Sequence, residues 1–521
     1  MDDPVKVELR RFCESTSIKG IPRAVKSTNA IISLLWILAM VVCLAMLLFQ
    51  ATTVLIRYYS CAVIRNSFDR QTKPNFPEVT VCNLNPYDSF ENFAETYEEY
   101  VEKVEILLTA HNVSVQADDQ FFEELLSKRS YIVNNPTFSP RPYTPSMDTF
   151  VTTCNWYTWD WTVDNQPVCL DTILVTWHPQ YYKCYTFQPN SDSVKGLVAV
   201  FYVHNFPPTP LEIFQIFLGQ SMSAGVRLIV HTRGTQPFLQ KGISISPGVE
   251  ATITLVQTNI TRLEAPYGNC TKQRFLTARQ INIYTSSVCL SLCRQRQFID
   301  ICGCLVNYEA LTLVDLERAH YSFCSNLTEA NETYYSEPDR LLQKATCDNN
   351  TFPHNNICDC RISCDETQYD WTVSQLRWPH KPRQLPFYQK YIRSSPNIYG
   401  NRFDRYGELL REYMAGNLST DAVMDTLEQT GLIEKNFLQL NVYFDTEIVH
   451  MQEDTAATTW ETLMSNIGGA LNLWLGVTVL FAAELIELTY DLFVAYRSRN
   501  MKPTAAKQNL SQRNGLDITH F

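Results

Sequence analysis

Positive charge is in short supply in this 521-residue chain: 43 lysines and arginines stand against 54 aspartates and glutamates, a formal net charge of −11. A nucleic-acid partner, which calls for a basic stripe, is excluded on that ground. Also missing are the local signatures of common hydrolases and nucleotide binders. No Gly-x-Ser-x-Gly, no His-Glu-x-x-His and no phosphate-binding loop occurs. An enzyme acting outside the cell is thereby left without a catalytic constellation, because scattered carboxylates carry no geometry. No internal repeat is present. With 45% apolar and 19% charged residues, the composition is that of a folded protein, neither collagen-like nor disordered.

Charge of either sign vanishes over two stretches. Residues 27–56, bracketed by Lys26 and Arg57, carry none. As a helix this run spans about 45 Å, more than the roughly 30 Å of a bilayer's hydrocarbon core. It is also too long for a signal-peptide core of about 7–15 residues. A membrane helix is expected over 29–56. The second uncharged run, 462–483, lies between Glu461 and Glu484, and apolar character continues to Tyr496. A second span with pore character is expected over 457–496. Both flanking tails are basic, including Arg10, Arg11, Arg23 and Lys26 before the first run and Arg497, Arg499, Lys502 and Lys507 after the second. The positive-inside rule then puts tails 1–28 and 497–521 in the cytoplasm, and 57–456 outside.

Cysteine usage agrees with that topology. Of 17 cysteines, 14 fall between Cys82 and Cys364, an even number suited to disulfides in an oxidising compartment. Cys13, Cys43 and Cys61 stand apart and are expected to be free. Cys302-x-Cys304 and Cys358-x-Cys360 have a spacing of one residue, against the two to four of zinc sites. Seven sequons, at Asn112, Asn259, Asn269, Asn326, Asn331, Asn349 and Asn417, lie in the same segment and are expected glycosylation sites. Within it, 91–108, 118–126 and 403–424 read as helices and 196–204 and 226–231 as strands, an α+β pattern. Ten cysteines crowd into 270–364, a stapled region.

Two constellations carry candidate chemistry. The Cys154–Cys169 segment holds Trp156, Tyr157, Trp159, Asp160, Trp161 and Asp164, which together could trap a cationic, aromatic ligand. Packing of those rings against neighbouring core is the competing reading. In the second run, Glu484, Glu487 and Asp491 are spaced i, i+3, i+7 and share one helix face. Ionisable groups at membrane depth mark ion paths, unless they lie past the bilayer in the interface. An unbroken helix from Glu461 to Tyr496 would measure about 54 Å, too long for one bilayer without steep tilt. Gly468, Gly469, Ala470 and Gly476 offer places to cross closely or unwind. Carbonyls freed at Gly476-Val477-Thr478 could coordinate a dehydrated cation. Two helices are too few to enclose a path, so an oligomer is expected.

Four phrases resemble the degenerin/epithelial sodium channel superfamily: Phe76-Pro77-Glu78-Val79-Thr80-Val81-Cys82-Asn83, Pro266-Tyr267-Gly268-Asn269-Cys270, the cysteine ladder Cys289 to Cys364, and Ile467-Gly468-Gly469 followed by Gly476-Val477-Thr478 and Glu484-Leu485. The resemblance implies a homotrimer. Each subunit would have two transmembrane helices flanking a disulfide-rich α+β extracellular domain of palm, thumb and finger type. It implies a plasma-membrane protein that conducts sodium with no cofactor and is blocked by amiloride-like compounds. The implied disulfides are Cys82–Cys184, Cys154–Cys169, Cys270–Cys364, Cys289–Cys360, Cys293–Cys358, Cys302–Cys347 and Cys304–Cys324.

Ser223-Ala224-Gly225-Val226-Arg227-Leu228, Leu440-Asn441-Val442-Tyr443 and Leu473-Trp474-Leu475-Gly476 resemble the peptide-gated, FMRFamide-type channels of invertebrates. An extracellular RF-amide peptide is therefore the expected opener, with proton gating and constitutive or mechanical opening as alternatives. Three positions depart from the superfamily pattern: Lys19 replaces the histidine before Gly20, Asn466 replaces the acid before Ile467-Gly468-Gly469, and Thr478 replaces a filter serine. The tail also lacks the Pro-Pro-x-Tyr motif of epithelial members.

Overall fold

Apolar residues alternate from Ala251 to Leu255, and the strand they form buries Ala251, Ile253 and Leu255 on one face. In the computed structural model the described residues are 4–18, 20–84, 146–164, 168–178, 181–189, 191–204, 223–238, 241–274, 283–304, 347, 358–395, 398 and 400–500. The expected helices at 91–108 and 118–126 lie outside these, as do Asn112, Asn326, Asn331 and Asn349. The chain divides into two compact units, Arg65–Glu453 and the union of Met1–Ile64 with Asp454–Phe521. In chain order, the helices used below are α1 (Pro4–Ser15), α2 (Ile21–Lys26), α3 (Ala30–Tyr59), α4 (Ser286–Cys302), α5 (Asp404–Met414), α6 (Thr420–Thr430), α7 (Trp460–Leu475) and α8 (Leu480–Asn500).

The larger unit is built on two sheets. One orders β13 (Asp365–Arg377), β10 (Val249–Thr261), β14 (Phe437–Ala456), β7 (Val194–Tyr202), β3 (Val151–Thr158) and β4 (Val163–Asp164), with β1 (Val63–Gln71) also pairing β14. The other orders β5 (Ile173–His178), β6 (Tyr182–Phe187), β2 (Glu78–Asn83), β8 (Val226–His231) and β9 (Ile243–Ile245), while β11 (Cys270–Thr271) and β12 (Ile362–Ser363) pair as a short parallel ladder of their own. β2 is central in its sheet and every residue in it is buried. The core between the sheets is aromatic: Phe76 sets its ring edge-to-face on Trp156 and Phe444, at 5.7 and 5.9 Å.

A second core joins α5 and α6 to Tyr202 and Phe437. A single helix over 403–424 was expected, but α5 and α6 are separate. Gly416 takes φ +75° just after α5, and the Ser419 hydroxyl accepts the Ala422 N–H to start α6.

The cysteine-rich region is a helix pinned to a later segment. Thr285 caps α4 at its N-terminus, and Gly303 closes it in the left-handed conformation. Cys289 and Cys293, one turn apart, bond to Cys360 and Cys358, where the chain turns tightly and the Cys360 N–H donates to the Cys358 carbonyl at 3.0 Å. Cys270–Cys364, Cys302–Cys347, Cys82–Cys184 and Cys154–Cys169 are also closed. Cys304 is disulfide-bonded as well; Cys324, its implied partner, lies outside the described residues. Among the described residues Cys13, Cys43 and Cys61 are free, and no cluster of metal-ligating side chains occurs.

Of the sequons, Asn269 and Asn417 are exposed outside regular structure. Asn259 differs from the surface-loop acceptor expected of a sequon. It stands in β10, paired on both sides, and its amide oxygen accepts from Gln257 Nε2 and Thr367 Oγ1 at 2.9 and 3.1 Å. That setting is a poor glycan acceptor.

In the smaller unit, α3 is the described helix long and apolar enough to cross a membrane, with mean hydropathy 2.9. Leu47 is its buried residue, and Ile31, Leu34 and Phe49 stand at least two-thirds exposed. α7 and α8 pass the same test of length and composition together, but are bent by 71° at a short break. α7 packs on α3, α2 on α3, and α1 on α8.

Candidate functional site

The break between α7 and α8 is made by one glycine. Gly476 ends α7 at φ +67°, where its N–H donates to the Asn472 carbonyl at 2.9 Å. The Val477 N–H donates back to Leu471 O, and the next backbone bond is Phe481 N–H to Thr478 O. Among the described residues the Gly476 and Val477 carbonyls accept no backbone hydrogen bond. At membrane depth such carbonyls need water, protein or an ion. Thr478 is exposed. Gly468 and Gly469, the other expected points of unwinding, stay helical inside α7; a methyl on either would meet nothing within 4 Å. Asn466 is exposed nearly two turns from α7's start.

Glu484 was expected to present its carboxylate to an ion path. Instead its Oε2 accepts from Thr16 Oγ1 at 3.1 Å and from the Ser17 N–H at 3.0 Å. The N-terminal segment is thereby tied to α8, and Phe12 adds a ring contact to Phe481. Glu487, on the same helix face, is exposed. Gly20 follows the latch and packs so closely on α3 that a Cβ there would lie 2.0 Å from the Met40 sulfur. Thr16 and Ser17 could not be assigned a site from sequence, since nothing in a short polar pair announces a partner far along the chain.

A second polar tie holds α3 to α7. Trp474 Nε1–H donates to Gln50 Oε1 at 2.8 Å. Gln50 in an otherwise apolar run was the available signal. Gln50→Leu is expected to strand the indole N–H and lower the melting temperature of the solubilised protein. Trp474→Phe in that background should cost little more. A double-mutant cycle should give a coupling of about 0.6–2 kcal/mol.

The candidate ligand loop is corrected by the structure. Trp156 is 2% exposed and belongs to the sheet-to-sheet core, so it cannot meet a ligand. Trp159 stacks on Phe444, with ring planes 7° apart. The chain's own cations cover the rest: Lys195 Nζ lies 5.2 Å from the Trp159 ring and 4.6 Å from that of Trp161, and Lys73 Nζ lies 5.8 Å from Trp159. Trp161 sits 5.6 Å from Tyr443 and 6.3 Å from Tyr157. Asp160 is exposed at the tip, and Asp164 pairs with Trp156 in the β3–β4 ladder. The cation–π sites of this hairpin are thus filled from within. Trp156→Ala is expected to destabilise the domain by about 3–5 kcal/mol and empty the cell surface of protein. Trp161→Ala should leave expression intact.

The model of the amiloride-sensitive sodium channel family matches residues 12–488. The chain is 25% identical to the FMRFamide-activated amiloride-sensitive sodium channel of Cornu aspersum, over 96% of this chain and 86% of that protein. It is 22% identical to acid-sensing ion channel 4-B of Danio rerio (97% and 80%) and 24% identical to the bile acid-sensitive ion channel of Mus musculus (92% and 87%). With a match that runs from the N-terminal latch through α3, both sheets and the broken α7–α8 pair, the chain belongs to the amiloride-sensitive sodium channel family, whose members are channels and not enzymes.

Proposed function

We propose that this chain is one subunit of a homotrimeric, amiloride-sensitive sodium channel of the plasma membrane, opened by an extracellular RF-amide peptide. On this reading α3 and the broken α7–α8 pair are the two membrane crossings, both termini are cytoplasmic, and 57–456 is outside. The observation that carries conduction is the Gly476 break, which leaves two backbone carbonyls free in an apolar setting. Gly476, Val477 and Thr478 form the filter, with Asn466 at its outer side. Glu487 faces the lower path, and Glu484 shapes it by holding the N-terminal segment. The open space over Gly468 and Gly469 suits a neighbouring subunit's helix.

Likeness to an FMRFamide-activated relative over nearly the whole chain supports peptide as the opener. A second reading, opening by acid, is favoured by a specific observation: Glu78 and His231 are buried as direct cross-strand partners of β2 and β8. Whole-cell recording from cells expressing this chain alone separates the two. A sodium current evoked by an RF-amide peptide at neutral pH and blocked by amiloride is expected. Current with acid alone would move the sensor to the buried pair. Silence to both, with surface protein verified, would overturn homomeric gating by either.

A further inference from the structure

Outside the hairpin, the larger unit contains a polar cleft of about 700 Å³, within the range of ligand sites. One wall is the first half of β13. That strand lies at the end of its sheet, bonded to β10 on one side only. Its register with β10 is continuous, so its outward groups can be assigned. The Arg262 N–H donates to Cys364 O at 2.7 Å, which points position 364, and with it the even positions of β13, inward. Thr367 O points the other way and accepts from Thr232 Oγ1 at 3.1 Å. The backbone groups of Tyr369 and Trp371 share that outward parity, and among the described residues no backbone hydrogen bond reaches them from that side.

Charge and caps complete the site. Asp365 and Asp370 line the cleft, both exposed and without an ion pair among the described residues. Their neighbour Glu366 is already held by Arg262 at 2.6 Å, and Lys272 by Glu264 at 3.0 Å. The N-terminus of α4 also opens here. Thr285 Oγ1 satisfies Val288 N–H, leaving the Ser286 and Ser287 N–H groups to meet an incoming oxygen.

An open strand edge is a template for an extended chain, and unpaired carboxylates beside it select a basic one. We propose that an extended, basic, C-terminally amidated peptide binds in this cleft as an added strand on β13, its cationic group on Asp370 and its terminal amide oxygen toward the α4 N-terminus. The proposal deepens the peptide reading above and rests on it for the ligand's class.

The test uses the full chain in cell membranes, with FMRFamide as the probe. Gln368→Cys puts a thiol on the cleft wall, and Ser287→Cys puts a second one at the α4 end. Reaction of either with a cationic, impermeant thiol reagent is followed with and without peptide, the unmodified chain serving as control for Cys61. Bound peptide should slow the reaction at least tenfold. In the same background, Asp370→Asn should raise the peptide concentration for half-protection by about tenfold, with Asp370→Glu close to the parent. A peptide methylated on alternate backbone nitrogens should fail to protect, because it cannot complete the ladder. Undiminished reaction at both thiols overturns the site, whether or not peptide evokes current. Protection without current keeps the site and overturns peptide gating. Equal protection by the methylated peptide overturns strand addition.

Discussion

Gly476→Val should abolish sodium current while leaving the protein at the cell surface. Gly476 closes α7 at φ +67°, a region that a β-branched residue enters only under strain. Two responses are open to a valine. It could hold the left-handed conformation at a cost of roughly 1–2 kcal/mol, with its branched side chain beside the carbonyls of the break. Or it could return to the right-handed region and extend α7. The second response erases the 71° bend and returns the Gly476 and Val477 carbonyls to helical bonding. Either way, the pair of free carbonyls offered to a cation is lost or obstructed. Gly476→Asn is the informative companion, since asparagine adopts positive φ more readily than other non-glycine residues. It should retain measurable current where valine does not. Surface labelling alongside whole-cell recording checks both. Full-sized current from Gly476→Val would mean that the break does not line the path.

The elements that were legible in sequence are those with a strong local cause. A long run without charge makes α3, and β-branched and aromatic runs make β7 and β8. The α7–α8 break was foreseeable because a single straight helix would be too long, yet length alone could not choose among Gly468, Gly469 and Gly476. The first two stay helical because nothing forces a turn there, while the third carries the cap.

What sequence could not supply is long-range. The latch of Thr16 and Ser17 on Glu484 joins positions separated by 468 and 467 residues. The disulfide connectivity came with the family resemblance, since an even count of cysteines leaves many pairings open. The tryptophan hairpin misled for a similar reason. Composition showed rings and carboxylates in one short segment, but Phe76 and Phe444, against which the rings pack, and Lys195, which covers them, come from elsewhere. A cation–π site visible in sequence is a vacancy only if the fold brings no cation of its own.

The buried pair on β2 and β8 yields the second large effect, a reversal in how acid changes stability. Glu78 and His231 face each other across the strands with side chains 9% exposed, the Glu78 Oε2 lying 3.8 Å from His231 Nδ1. That is longer than a hydrogen bond. The ring is instead held by Thr80 Oγ1 on Nε2, at 2.8 Å, and by Thr235 Oγ1 on Nδ1, at 3.1 Å. Burial pushes the imidazole down from its ordinary 6.5 to about 4, against the raising effect of its bonds at Thr232 and Thr235. Burial also pushes the Glu78 carboxyl up, opposed by the Gly234 backbone, Gln188 and Arg233. Tyr369, raised to about 12 chiefly by burial, stays neutral throughout.

The two groups act in opposite directions. His231, depressed in the fold, contributes stability that is present above 6.5 and lost as pH falls toward about 4, on the order of 3 kcal/mol in all. Glu78, raised in the fold, contributes stability that is present in acid and lost as pH rises through its folded value. The unaltered protein should therefore show a shallow pH dependence between these limits. Removing one partner exposes the other. His231→Gln, which keeps a donor and an acceptor for Thr80 and Thr235, should make the protein melt higher at pH 5 than at pH 7. Glu78→Gln, which keeps the contact to Gln188, should make it melt lower at pH 5 than at pH 7, by more than the parent does. Thermal unfolding of the solubilised full chain at the two pH values gives both signs. Equal slopes in the two variants would mean that the two groups do not act on stability in opposite directions. An acid-evoked current that survives both substitutions would separately remove the pair from gating.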